Sequence, residues 1–339
     1  MKHKTRKILF IIILIVVPAL LVFGSFFVGR FRVYPKEVIE CILQSTGLFQ
    51  FDVRKDAYSV VTQLRLPRSV AAAAVGAGLA VSGGAFQGVF RNPLVNSGLL
   101  GVSNGAGFGA ALAIVVFGGL GYTYTFAFLF GILAVALSYW IARIYKTVPT
   151  VMLILGGTIV SSIFGALTTL LKSMADVENE LPAVVYWLMG SVSSVSYEDF
   201  WALIPIVAGI IVLLLYAWKM NVLSMGEKEA RSMGVNVVKG KLVIIIAATF
   251  ATAGAVCMSG IVGWVGLVIP HIARMLVGND NRKMLPVAIS IGASFMVVID
   301  TVSRSIATTE IPLGVLTAIV GAPFFIFLLK KTKGGGWQA

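Results

Sequence analysis

The chain has 339 residues, 58% of them hydrophobic and only 12% charged, with a mean hydropathy of +0.95 and a formal net charge of +13. A water-soluble globular domain is excluded, because the apolar residues come in blocks long enough to cross a bilayer instead of in amphipathic stripes. A nucleic-acid reading of the charge is excluded as well, since no basic patch sits on a soluble domain.

The chain begins with Lys2, Lys4, Arg6 and Lys7, followed by an apolar run from Ile8 to Val28. A signal peptide is the competing reading, but the run is longer than a usual signal core and no clear small-x-small cleavage site follows. It is therefore predicted to span, over 8–28. A crossing helix needs roughly 20 apolar residues, and nine further crossings are predicted near 69–88, 94–117, 122–142, 150–172, 199–218, 241–261, 266–277, 284–304 and 313–329. The eighth, 266–277, is too short to cross alone, so it is predicted to be broken and buried in protein, where irregular backbone is tolerated.

Small residues recur every four positions in three of these segments: Gly76, Ala80, Gly84 and Gly88; Gly101, Gly105, Gly109 and Ala113; Gly157, Ser161 and Gly165. Such stripes let helix backbones approach closely, and packing drives association where lipid removes the hydrophobic force. Between the first two stripes, Pro93 biases Asn92 away from helix and marks a turn. Further along, the polar island Asn221–Val235 interrupts two apolar runs. It carries Glu227, Lys228, Glu229 and Arg231 within five residues, bracketed by Gly226 and Gly234. A plain connecting loop has no need of an amphipathic helical turn closed by glycines, whereas a loop that docks on a soluble partner does.

Ten crossings with the N-terminus inside place 18 of the 27 basic residues, Lys146 and Lys333 among them, and only three of the 14 acids in inner segments. The positive-inside bias thus puts both termini and the island in the cytoplasm. Cys41 and Cys257 fall at different depths and read as unpaired thiols. His3 and His271 form no metal constellation, and His271, beside Pro270 at the break in the eighth segment, reads as a packed turn residue. Gly240-Lys241 is followed by Leu242 and lacks the upstream glycine of a phosphate-binding loop, so the chain has no nucleotide site of its own.

Several motifs resemble those of the iron-siderophore and vitamin B12 importer permeases, the FecCD family. They are Arg65-Leu-Pro-Arg68, Asn92-Pro-Leu, Leu100-Gly-Val-Ser-Asn-Gly-Ala106, Tyr186-Trp-Leu-Met-Gly-Ser191, the island, and Gly263-Trp-Val-Gly-Leu-Val-Ile-Pro-His-Ile-Ala-Arg274. Asp300-Thr-Val-Ser-Arg304 and Ile311-Pro-Leu-Gly with Gly321-Ala-Pro-Phe-Phe complete the set, which covers nearly the whole chain in family order. The resemblance implies an all-α polytopic protein with the type II ABC importer permease fold: ten transmembrane helices, the eighth short, in a single permease domain over 1–339. It also implies a second permease subunit, identical or related, two ATPase subunits that carry ATP and Mg, and an extracytoplasmic substrate-binding protein. No cofactor is expected on this chain, which would sit in the cell (cytoplasmic) membrane.

The resemblance makes 221–238 the ATPase-coupling segment. Glu227, Glu229 and Arg231 would form its polar rim, Leu223, Met225 and Met233 its apolar anchors around Ala230, and Gly226 and Gly234 its tight turns. Arg65, Arg68 and Arg304 are expected at the outer mouth to meet acidic lobes of the binding protein, since paired surface charges steer docking. Snorkelling to headgroups is the alternative. Asp176, Glu178 and Glu180 read as a solvated loop. Thr150 is the candidate cytoplasmic gate, although Pro149 and Val151 depart from the hydroxyl-rich family version.

A secondary transporter would want ionisable groups at mid-membrane, and only Asp300, near an outer end, is offered. An intramembrane enzyme would want a metal-ligand pair, a carboxylate pair or a nucleophile with its base, and none stands out. Transport subunit, without enzymatic activity of its own, is the expectation. A ferric siderophore is the expected cargo, with haem or cobalamin next and a small oxyanion less favoured, because no mid-membrane lysine or arginine would hold it.

Overall fold

The computed structural model describes residues 2–118, 120–143 and 149–331, and all its regular elements are helical. Lys146 and Lys333, counted above for orientation, lie outside the described residues. In chain order the helices are α1 (Lys2–Ser25), α2 (Pro35–Ser45), α3 (Lys55–Ser59), α4 (Leu66–Phe90), α5 (Val102–Phe117), α6 (Thr123–Ala142) and α7 (Thr150–Met174). They continue with α8 (Glu180–Met189), α9 (Leu203–Leu215), α10 (Ala217–Met225), α11 (Glu227–Ser232), α12 (Val237–Ser259), α13 (Val265–Val277), α14 (Asn281–Ser303) and α15 (Leu313–Lys331).

Each predicted crossing meets a helix. Among the described residues, however, only six stretches have the length and hydropathy of a full span: Lys55–Phe90, Thr123–Ala142, Thr150–Met174, Tyr197–Leu215, Val237–Ser259 and Asn281–Ser303. Length and composition therefore do not fix the number of crossings at ten.

Two boundaries differ from expectation for identifiable reasons. Helix continues from Lys55 through Pro67 because a wider π-type turn over Val60–Arg65 absorbs the missing proline N–H. The third segment starts at Val102 instead of 94. Asn92 Oδ1 accepts from Leu94 N at 2.9 Å and Asn96 Oδ1 from Gly98 N at 3.0 Å, and such Asx turns compete with helix. The acidic residues Asp176 and Glu178 do lie in an exposed turn, and Glu180 opens α8. Asp176 Oδ1 accepts from Glu178 N and Asn179 N at 3.1 and 2.8 Å, and so organises the start of α8.

α4 is the axis of the bundle, with α14, α12, α13 and α9 packed around it, while α5, α6 and α7 form a second group joined through α12. The small-residue stripes explain the closeness. A Cβ on Gly76 would overlap the Gly292 carbonyl of α14, and one on Gly83, a position off the predicted stripe, would overlap Gly266 of α13. Gly105 and Gly109 admit the Phe130 and Phe126 carbonyls of α6 in the same way. The third stripe is only partly a packing face: Gly157 abuts Leu99, but Gly165 has open space beside it.

α13 is short, as expected, but its break is upstream, over Gly260–Trp264, and Pro270 lies inside the helix. Trp264 there takes φ +68°, unusual for a bulky residue. This partly buried irregular stretch is tied in at its start, where Ser191 N donates to Ser259 O at 2.8 Å, and the neighbouring Gly190 O accepts from Leu313 N at 2.9 Å. Cys41 and Cys257 are both buried free thiols.

Candidate functional site

Two polar clusters lie at opposite ends of the bundle. α4 and α14 run antiparallel, with Arg68 beside Asp300 at one end and Gly88 beside Asn281 at the other. Asn281 and Asp300 are 19 residues apart on α14, which at 1.5 Å per residue is about 28 Å.

The first cluster surrounds the polar island. Gly226 separates α10 from α11 at φ +144°, with the Glu229 carboxylate folded over it where any Cβ would stand. Gly234, at φ +76°, turns the chain out of α11, and the Asn236 side chain then caps α12 by accepting from Lys239 N at 3.0 Å. Ala230 is buried on the inner side of this turn. Glu227, Glu229, Arg231, Met225 and Met233 are exposed, so five of the expected docking residues are accessible. Leu223 does not belong with them. It is 4% exposed and packs inward beside Gly240, because the α10 face that carries it also carries Val222 and Met220 into the core.

Two fastenings hold the island to the bundle. Asn221 Nδ2 donates to Asp280 Oδ1 at 2.6 Å, and Asn221 Oδ1 accepts from both nitrogens of Asn281 at 2.8 Å, so the end of α10 is locked to the start of α14. Asp280 also accepts from the Arg282 guanidinium and backbone. These bonds, with the one from Asn221, hold its carboxyl down at about 2. In the second fastening, Lys241 Nζ lies 2.7 Å from Glu227 Oε1 and 3.5 Å from Thr150 Oγ1, the predicted gate residue at the first position of α7. The Lys241 ammonium, by donating a hydrogen bond, lowers the Glu227 carboxyl below its usual range. A cavity of about 230 Å³ opens beside this contact, between Tyr139, Pro149, Arg231 and Val238.

The second cluster gathers the three arginines expected to be surface docking groups, and the structure corrects their disposition. Arg65, Arg68 and Arg304 are 4%, 8% and 7% exposed. Arg65 donates to the carbonyls of Phe26 and Phe31 at 2.5 and 2.6 Å. Arg68 pairs with Asp300 at 2.7 Å and makes a two-pronged contact with Glu310 at 2.7 and 3.1 Å. Arg304 donates to Ser25 O at 2.7 Å and lies 3.7 Å from Asp300. Charges this deep must be paired within the protein, so the helix termini and the 304–312 loop close over them. Glu310 is the partly exposed member of the network.

Sequence reading missed Lys241, Glu310, Asn221 and Gln87, which accepts from the Arg274 guanidinium across α4 and α13. A signal existed for Lys241, the deeper of two lysines in the first turns of an apolar helix. Asn221 and Gln87 carry none without their distant partners. Among the described residues no group of three or more His, Cys, Asp or Glu side chains could hold a metal ion.

The chain matches the FecCD transport family over residues 13–331. It is 39% identical over 332 residues to the molybdate import system permease protein MolB of Haemophilus influenzae, covering 97% of both chains. It is 42% identical over 290 residues to the cobalamin import system permease protein BtuC of Halobacterium salinarum, covering 84% of this chain and 77% of that one. Among solved structures, an inward-facing ABC transporter assigned to the metal-chelate type superposes with a TM-score of 0.83 at 38% identity, over 95% of this chain and 99% of that one.

Proposed function

The chain belongs to the FecCD transport family and is an ABC importer permease, and from that premise we propose that it moves a ferric chelate into the cytoplasm. In this reading both termini and the island face the cytoplasm, α11 docks on a separate ATPase that holds ATP and Mg, and a second permease completes a central pathway. A binding protein delivers the cargo to the opposite face.

The observation that carries the cargo reading is the surface of α7. This long apolar helix is poorly buried and exposes Thr158, Ser162 and Thr169. Each of these hydroxyls already bonds a carbonyl of its own helix at 3.0 Å (Ile154, Thr158 and Gly165 respectively). Lys172, near the far end, is the only charged residue on α7. In this reading that face lines the pathway, and its hydroxyls, set among exposed aliphatics such as Leu155, Ile159 and Ile163, offer a large chelate no strong donor to retain it. Weak contacts favour release, because binding a cargo tightly in mid-path slows its exit.

A second reading, molybdate, is favoured by the 39% identity to MolB across nearly the full length. Its cost is that the one cation on α7, Lys172, stands in the last turn and leaves the middle of the helix without a charge for a small oxyanion. The test is uptake by a deletion strain carrying this permease with its own ATPase and binding protein, supplied separately with labelled ferric chelate, haem, cobalamin and molybdate. Ferric chelate uptake is expected. Uptake of molybdate or cobalamin alone would overturn the cargo and leave the importer assignment standing.

A further inference from the structure

Lys241 is an odd residue for its place. It sits one turn into α12, with a side chain only 9% exposed, while its carboxylate partner Glu227 is 53% exposed. The buried member of the pair is therefore anchored in the bundle, and the accessible member belongs to α11. Arg231, one turn along α11, lies 3.8 Å from the same carboxylate and competes for it. The third group at the ammonium is Thr150, at the first position of α7.

The electrostatics give this contact a direction. A helix N-terminus carries roughly half a positive charge, so it repels a nearby cation unless a counter-ion is present. With Glu227 in place, the ammonium is neutralised and the start of α7 can rest against it. If α11 carries Glu227 away, a buried cation is left facing the positive end of α7, and burying an unpaired charge is strongly unfavourable. The adjoining cavity, walled by Tyr139 and Pro149, leaves room for the two to separate.

We propose that Lys241 is a positioning residue for transport: through the Glu227–Lys241–Thr150 contact it converts displacement of α11 into movement of the inner end of α7. This rests on the reading of α11 as the ATPase-docking element. The alternative is that the ion pair only staples α11 to α12.

The assembled transporter in proteoliposomes separates the two, with three quantities measured: ATPase retained on purification, ATP hydrolysed, and cargo moved per ATP. Lys241→Met keeps the side-chain length without the charge. It should retain the ATPase and its hydrolysis while cargo per ATP falls about tenfold, within the usual range of coupling energies. Lys241→Arg should restore most of that ratio, and the exchange Glu227→Lys with Lys241→Glu should recover part of it. An unchanged ratio in Lys241→Met would overturn the proposal. So would a ratio that is unchanged for the ATPase that remains while retained ATPase drops, which is the result a simple staple gives. Glu229→Arg is the separate control on the docking reading: if it keeps the ATPase fully bound, α11 is not the docking element and the proposal falls with that reading.

Discussion

Arg68 and Asp300 are 232 residues apart in sequence, yet their side chains form a 2.7 Å ion pair in which neither is more than 9% exposed. The pair ties the first turn of α4 to the last turn of α14, and Arg304 shares the same carboxylate. Removing one partner from such a group leaves buried charge uncompensated, which typically costs about 3–5 kcal/mol. Asp300→Asn is therefore expected to lower the thermal stability of the detergent-solubilised protein severely. Glu310→Gln, at the partly exposed edge of the network, should cost about 1 kcal/mol, nearer to a surface pair. Melting curves of both variants, followed by size-exclusion fluorescence, test the ranking. Equal losses would mean that Asp300 is not the centre of the network.

The Gly76–Gly292 crossing makes a second prediction about the same helices. Neither position has room for a Cβ, because each faces the other's carbonyl. Gly76→Val should push α4 off α14 at a cost of at least the 1–3 kcal/mol typical of overpacking, roughly, since backbone and not a flexible side chain must yield. Gly165→Ala, with nothing near its Cβ, should be neutral or slightly stabilising because alanine favours helix. The yield of monodisperse protein for the two variants is the measurement.

Acid should loosen the island before the bundle. Asp280 is held down to about 2 from an ordinary 3.8, chiefly by Arg282 and also by Asn221. A depressed carboxyl contributes stability that is fully present above its unfolded value and is lost as pH falls through its folded value. The Asp280 contribution should therefore be complete above about 3.8 and disappear toward about 2. Glu227, lowered from 4.5 by Lys241, should behave likewise over a window starting near 4.5. Asp280→Asn should flatten the lower part of the stability–pH curve in a melting series, and a curve of unchanged slope would contradict the assignment. Glu227 is half exposed and Asp280 partly so, and screening therefore reduces the amplitude.

What the sequence revealed and what it hid divide along physical lines. Helix existence and the close crossings were legible because they depend on local composition: runs of apolar residues, and glycines every fourth position. The bracketing of α11 by Gly226 and Gly234 was legible for the same reason. The burial of Arg65, Arg68 and Arg304 was not. An arginine at a helix end has the same local sequence whether it meets headgroups, a partner protein or a carboxylate 232 residues away. Leu223 was misjudged because apolar residues on a short helix fit an outer face and an inner face equally well until the neighbouring helix is placed. The early start of the Lys55–Phe90 helix was hidden by Pro67, whose usual meaning as a boundary was cancelled by the π-type turn before it.

That misjudgement of Leu223 supplies the most discriminating test of the docking surface. Met225 and Met233 are 59% and 50% exposed and flank the acidic turn of α11, so they have less packing to lose than Leu223 at 4%. Exposed apolar side chains beside charges of both signs suit a protein interface, where an apolar centre is rimmed by polar groups. Met233→Glu together with Met225→Ser should leave the permease stable but reduce the ATPase retained on purification by about tenfold or more, the scale of one or two interface hot spots. Leu223→Ala should do the reverse. It leaves a cavity beside Gly240 at about 2–5 kcal/mol, so stability should fall while any permease that remains folded still binds the ATPase. Stability and ATPase retention are read on the same preparations, so the two effects cannot be confused. Loss of ATPase in proportion to loss of folded protein in both variants would show that the exposed methionines are not the docking surface.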